Sequence, residues 1–324
     1  MKSLISKSIE DKNSFEASKR INSGIHKCNL DYIYLAQNSL PSKQILRERP
    51  IADNSIIESA RISDCQTIVV TQDSVWVRTC TDDSSFLVQP STDNINSIET
   101  TKKLLDTAIV LGKRVASVER ELPSLNVKNW VWSLVSQYHV THPTPQLMRE
   151  AARRFKAQNR QQLAEWAEEK AIEETGHDRL ALRDIQSLGY QAQALADTYM
   201  SPSAKILINY FVRSVRTFDP IKVVGYAYTL ERIASAVKEK HIQAIEVILP
   251  PGINATRCLR VHSSIGSDVE HVDEALETIA KLSTAERTKI AIACYETAKL
   301  YFSSYENDYL SASELEQKLQ PFRH

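Results

Sequence analysis

Glycine is scarce, with seven in 324 residues. Folds rich in strands and tight turns use more, because such turns need backbone angles that other residues resist. Most of the chain therefore reads as helical. No run of about 18 apolar residues occurs, so no membrane span is expected. The opening stretch, MKSLISKSIEDKNSFEASKR, lacks the apolar centre of a secretory signal. Neither sign of charge is in excess, since 40 Lys plus Arg meet 40 Asp plus Glu. A balanced chain has no general attraction for nucleic acid or anionic membrane, and neither is expected as a partner. The five cysteines, Cys28, Cys65, Cys80, Cys258 and Cys294, are scattered and form no CxxC pair. Reduced thiols in a cytoplasmic protein are the simplest expectation.

What is present is a 42% apolar chain, enough for a sizeable core and about two domains. Residues 1–60 are rich in Ser, Asn, Lys and Glu with irregular apolar positions, and read as a loosely ordered arm or a few short helices. Residues 61–128 read as a small α+β domain. Gln66 to Thr71 is β-branched, Ser74 to Thr79 alternates with period two, and Ser85 to Val88 resumes the pattern. Helices follow from Asn96 to about Leu111 and from Lys113 to Glu121. This order of elements resembles the PqqD-like winged-helix domains. The resemblance implies a leader or carrier-borne peptide as partner, added as a strand beside residues 74–79. Residues 129–308 read as helices almost throughout, including long ones at 160–186 and 254–279. Thr144-Pro145, Gly189 and Pro220 mark helix ends. Residues 309–324 read as a short polar helix or tail.

Four helical stretches carry residues of metal-ligand type. Glu173 and Glu174 precede His177 by four and three positions, so either shares a helix face with the imidazole. Asp184 lies two turns further along and suits a supporting place behind the ligands. Asp268 and His271 are again three apart. His262 is six before Asp268, about 600° of helical rotation or roughly 240° around the axis. It therefore joins them only if the chain unwinds near Gly266. Glu231 sits on an otherwise apolar helix face with Tyr226 and Tyr228. A buried carboxylate needs a metal or an Arg, either Arg232 or one from another helix. His139 and His142 are three apart on the first helix of this region. A His and carboxylate set without Cys suits iron or manganese better than structural zinc.

Three segments carry a resemblance to a known family: Glu173-Glu174-Thr175-Gly176-His177-Asp178 through Leu188-Gly189, Gly225-Tyr226 through Glu231, and Arg260-Val261-His262 through His271. Over residues 129–305 the chain resembles the heme-oxygenase-like, or TenA/PqqC-like, helical fold. Within it, the chain is most similar to the iron-containing diiron oxidases. The resemblance implies a mainly α protein, a heme-oxygenase-like bundle preceded by the small winged-helix-like domain. It assigns His142, Glu174, His177, Glu231, His262, Asp268 and His271 to metal. His142 stands where the family has a first-helix Glu, and His262 has two extra residues before Asp268. Glu174, His177 and Glu231 are assigned the chemistry, Tyr226, Tyr228 and His139 the substrate pocket, and Glu173 and Asp184 the support.

The implied function is oxidation of a small amino-acid-like or acyl metabolite by iron and O2, through N-oxygenation, desaturation or C–C cleavage. Two Fe ions are the leading count, with Mn/Fe or a single Fe as alternatives. An external electron donor and a homodimer are further expectations of this reading. The competing functions are a cofactorless oxidase or hydrolase using Glu and His as base and acid, a peptide-modifying enzyme, and a binding protein with a degenerate site.

Overall fold

The computed structural model describes residues 56–79, 98–116, 125–266, 268–303, 305 and 308–324, with backbone alone at 268 and 269. The arm at 1–55, the strand read at 85–88 and the helix end at 117–121 lie outside the described residues.

Three antiparallel strands come first: β1 Ile56–Ser63, β2 Gln66–Thr71 and β3 Val75–Thr79, in the order β1-β2-β3. Ile68 stands opposite both Ala60 and Val77, which fixes the apolar face. The turn into β3 is closed by Thr71, whose Oγ1 accepts the Ser74 amide at 3.0 Å. β1 lies partly in the stretch read as an arm. Its inward positions are Ile56, Glu58, Ala60 and Ile62, all buried. The glutamate breaks the apolar alternation and hides the strand from pattern reading. It is buried because the Arg287 Nε donates to its Oε1 at 2.8 Å.

The helices are α1 Ile98–Ala116, α2 Val127–Thr141, α3 Thr144–Ala157, α4 Gln161–Glu173, α5 His177–Ser187, α6 Ala192–Thr198, α7 Pro202–Arg216, α8 Lys222–Ala234, α9 Glu239–Ile248, α10 Arg257–Val261, α11 Asp268–Ala280, α12 Thr284–Phe302 and α13 Ala312–Leu319. Where two short helices were expected over 96–121, one helix, α1, runs unbroken through 98–116. Several starts have a chemical cause. Asn126, Ser201, Ser283 and Ser311 each accept an amide of the first turn, and Glu286 and Glu314 complete capping boxes.

α12 is the central rod. Ile290, Ala291, Ala293, Cys294 and Ala298 are fully buried, as expected of a helix with apolar residues on all sides. Its small side chains let α1, α8 and β1 approach closely. One continuous core joins the sheet and α1 to α3, α4, α7, α8, α11 and α12. A second core lies around Trp130, Leu134, Ile185 and Ile242, and receives Leu315 and Leu319 of the C-terminal helix. No described helix is long and apolar enough to cross a membrane. Cys258 and Cys294 are buried and form no disulfide among the described residues, and burial pushes the Cys294 thiol up to about 12.

Candidate metal centre

Neither long helix expected at the site is continuous. The first is split into α4 and α5 by Gly176, whose φ of 94° lies in the left-handed region. Glu174 caps the end of α4 and His177 opens α5. Three-residue spacing still brings them together, now across the turn, with His177 Nδ1 and Glu174 Oε2 at 3.3 Å.

The second is split into α10 and α11, and the break falls where His262 needed it. Helix α10 ends at Val261, and His262 caps it with φ −95° and ψ 54°. The chain then folds back, and the Gly266 amide donates to the Ser263 carbonyl at 2.9 Å. A Cβ on Gly266 would lie 1.9 Å from the Val261 carbonyl oxygen. Gly266→Ala must therefore push the loop away, with an expected cost of about 1–3 kcal/mol. Because His262 is the adjacent cap, iron retained per chain should fall along with the denaturation midpoint. A variant keeping both at wild-type values would contradict this placement.

The result of both breaks is a cluster. One ligand atom each from Glu174, His177 and His262 lie within 4.8 Å of one another. The two imidazoles meet edge to face with centroids 4.8 Å apart. Burial pushes the Glu174 carboxyl up, but the hydrogen bond to His177 and the charges of His262, His177 and Lys170 outweigh it. The group therefore lies below the usual carboxylate range and presents an anion.

Asp184 acts through the backbone. Its buried carboxylate accepts the Cys258 amide at 3.0 Å and the Arg257 guanidinium at 2.9 Å. These bonds fix the start of α10, the helix that ends on His262. Arg260 holds the same helix to α9 through Glu239 and Glu246.

Glu231 does not pair with Arg232. Arg232 grips Asp106 of α1 with two bonds of 2.9 and 3.0 Å. Glu231 instead faces the Lys170 ammonium at 3.4 Å, and Glu173 shares that ammonium at 2.9 Å. Burial alone would push Lys170 down, but Glu231 and Glu173 raise it overall. Glu173 also lies 3.4 Å from His271 Nε2. Of Asp268, only the backbone is described, at the start of α11. Lys170 was missed in the sequence. Its signal was position, because it follows the buried Trp166 and Ala167 by four and three residues on the apolar face of α4.

Three expected site residues are elsewhere. His142 caps α2, is 58% exposed at its side chain and pairs with Asp178 at 2.7 Å. His142→Ala should leave iron content unchanged, as elemental analysis of purified protein would check. His139 donates from Nε2 to the Tyr199 carbonyl at 2.7 Å, bracing α2 against the chain after α6. Tyr228 donates to Asp106 at 3.0 Å, on the far side of α8 from Tyr226. Residues two apart on a helix are about 200° apart, so the two tyrosines cannot face one cavity.

A cavity of about 250 Å³ adjoins the cluster. Glu174, His262, Glu231 and Lys170 line it beside Trp132, Val140, Met148, Leu207, Phe211, Tyr226 and Leu230. Tyr226 stacks on Phe211 with centroids 4.3 Å apart. Among the described residues its buried hydroxyl has no hydrogen-bond partner. Burial and the nearby Glu174 charge raise that phenol, which stays protonated as a donor. Two imidazoles and one carboxylate, without thiolate, are a donor set that suits Fe(II) and leaves coordination positions open. The residues present therefore fit an iron ion.

No curated protein is detectably similar in sequence. Among solved structures, the chain is similar to a domain of unknown function with a heme oxygenase-like fold from Shewanella denitrificans OS217. The identity is 19% and the TM-score 0.45, with 63% of this chain and 84% of that one covered. It is also similar to a TenA homologue from Pseudomonas syringae pv. tomato DC3000, at 11% identity and TM-score 0.45 over 63% and 90% of the two chains. A TenA homologue from Pyrococcus furiosus gives 13% identity and TM-score 0.47 over 62% and 96%. The family model of iron-containing redox enzymes matches residues 131–302, more than half of the chain and the whole stretch that carries Glu174, His177 and His262. On that match the protein belongs to this heme-oxygenase-like family of iron-containing redox enzymes.

Proposed function

We propose that the protein is an iron- and O2-dependent oxidase or oxygenase acting on a small metabolite with an apolar acyl or aromatic portion. The observation that carries this reading is the Glu174, His177 and His262 cluster at the edge of a largely apolar cavity. These three residues would hold the iron. Iron so held supplies binding and reduction of O2 beside the substrate.

The chain's own groups do the rest. Glu174 offers a charged oxygen whose orientation is set by His177. Trp132, Val140, Met148, Leu207 and Phe211 exclude water and match an apolar substrate chain. Tyr226 offers its phenolic proton to a polar atom of that substrate. Glu231 and His271, which the resemblance also assigns to metal, are instead drawn to the Lys170–Glu173 pair, Glu231 at the ammonium and His271 at the Glu173 carboxylate. The cofactorless reading would use the same Glu174–His177 pair as base and acid without a metal, and the chelation arm below separates it from this one.

The test loads anaerobic apoprotein with Fe(II), admits O2, and follows oxygen uptake with acyl and amino-acid substrates. Uptake that depends on iron and on substrate is expected. Equal turnover after exhaustive chelation would instead make the protein a cofactorless oxidase or hydrolase.

A further inference from the structure

The polar end of the cavity carries more negative charge than one metal position needs. Glu174, Glu231 and Lys170 line it, Glu173 stands behind Lys170, and the Lys170 ammonium is seated between Glu173 and Glu231 at 2.9 and 3.4 Å. Lys170 is only 3% exposed. A lysine buried to that degree is held by its counter-charges, since an isolated ammonium there would be strongly disfavoured. It rises from α4 one turn before Glu174, so its local concentration at the carboxylates is fixed by the fold and does not fall with dilution, as that of a free ion does.

The geometry points to Lys170 as a built-in replacement for a second metal ion. The chain then retains a single iron at Glu174, His177 and His262, and Glu173 and Glu231 anchor the ammonium. This rests on the assignment of iron to that cluster. Charge supports it. Three carboxylates and one ammonium leave two negative charges among the described side chains, which one divalent ion neutralises. A second divalent ion would have to displace a tethered cation from both of its partners. A helical bundle that holds two irons gives its carboxylates to the metals. Here two of them are already engaged.

The experiment counts metal, using wild-type full-length chain, Lys170→Met and Lys170→Gln. Each apoprotein is titrated anaerobically with Fe(II), desalted, and analysed for iron per chain. The expected result is one equivalent in the wild type and two in both variants. Gln keeps a polar N–H donor without the charge, so it keeps the test open if Met does not fold. Lys170→Arg, which keeps the charge, should stay at one equivalent. Two equivalents in the wild type, or one equivalent in the wild type, Met and Gln chains alike, would overturn the inference and leave the proposed function standing. No iron in any chain would remove both.

Discussion

Replacing His177 or His262 with alanine should leave a folded protein that no longer keeps iron. Each imidazole is one of three groups whose ligand atoms lie within 4.8 Å of one another. Losing one of three protein ligands should weaken Fe(II) binding by more than about 100-fold, since even changes behind the ligands cost 10–100-fold. Oxygen uptake should fall with it. Neither side chain is fully buried, so the effect on folding should stay within about 2 kcal/mol. Iron analysis after anaerobic loading, beside a thermal melt, separates the two effects. Full iron retention in either variant would sink the cluster as a metal centre. Glu174→Ala should behave in the same way for iron. Its carboxylate also offsets some of the positive charge of Lys170 and the imidazoles, so that variant carries an added folding penalty.

Separating Glu58 from Arg287 should cost more stability than any change at the metal centre. Their side chains are 2% and 3% exposed, and the Nε–Oε1 distance is 2.8 Å. Arg287 also donates to the Leu282 carbonyl and to Thr284 Oγ1. Burial pushes the Glu58 carboxyl up, against the pull of Arg287. The pair is therefore a device for register more than a source of net stability. Glu58→Gln leaves a buried guanidinium without its counter-charge, and a loss of about 3–5 kcal/mol is expected. Glu58→Leu combined with Arg287→Met should recover much of that loss, because neither charge is then stranded. Urea midpoints of the single and double variants check this. A single variant within 1 kcal/mol of wild type would mean that β1 is not held to α12 as described. Iron per chain should not change in the double variant.

Legibility differed from element to element. Spacing left Glu173 and Glu174 both open as partners of His177, because residues three or four apart remain neighbours whether the helix continues or breaks, and the fold turns Glu174 to His177 and Glu173 to Lys170. The break itself was not foreseen, although Gly176 was its signal. At His262 the arithmetic of helical rotation required an interruption near Gly266, and one is present there. β1 was hidden by a charged residue on its inward face, whose partner is 229 positions away. Tyr228 was assigned to the cavity with Tyr226 against the rotation rule that separates them. Lys170 was overlooked because a lysine on an apolar face is read as an exception until its carboxylates are located.

By itself, the sequence determined the helical class, the motifs that carry the family resemblance over residues 129–305 and the local nearness of His177 to Glu173 and Glu174. Each of these depends on residues within a turn or two of one another, where covalent geometry dictates who is adjacent. Tertiary structure alone decided that His262 meets that pair, that His142 turns away to Asp178, and that Glu231 and Glu173 enclose Lys170. Those outcomes depend on which faces of distant helices are pressed together as the core excludes water, and on which buried charges then find a partner.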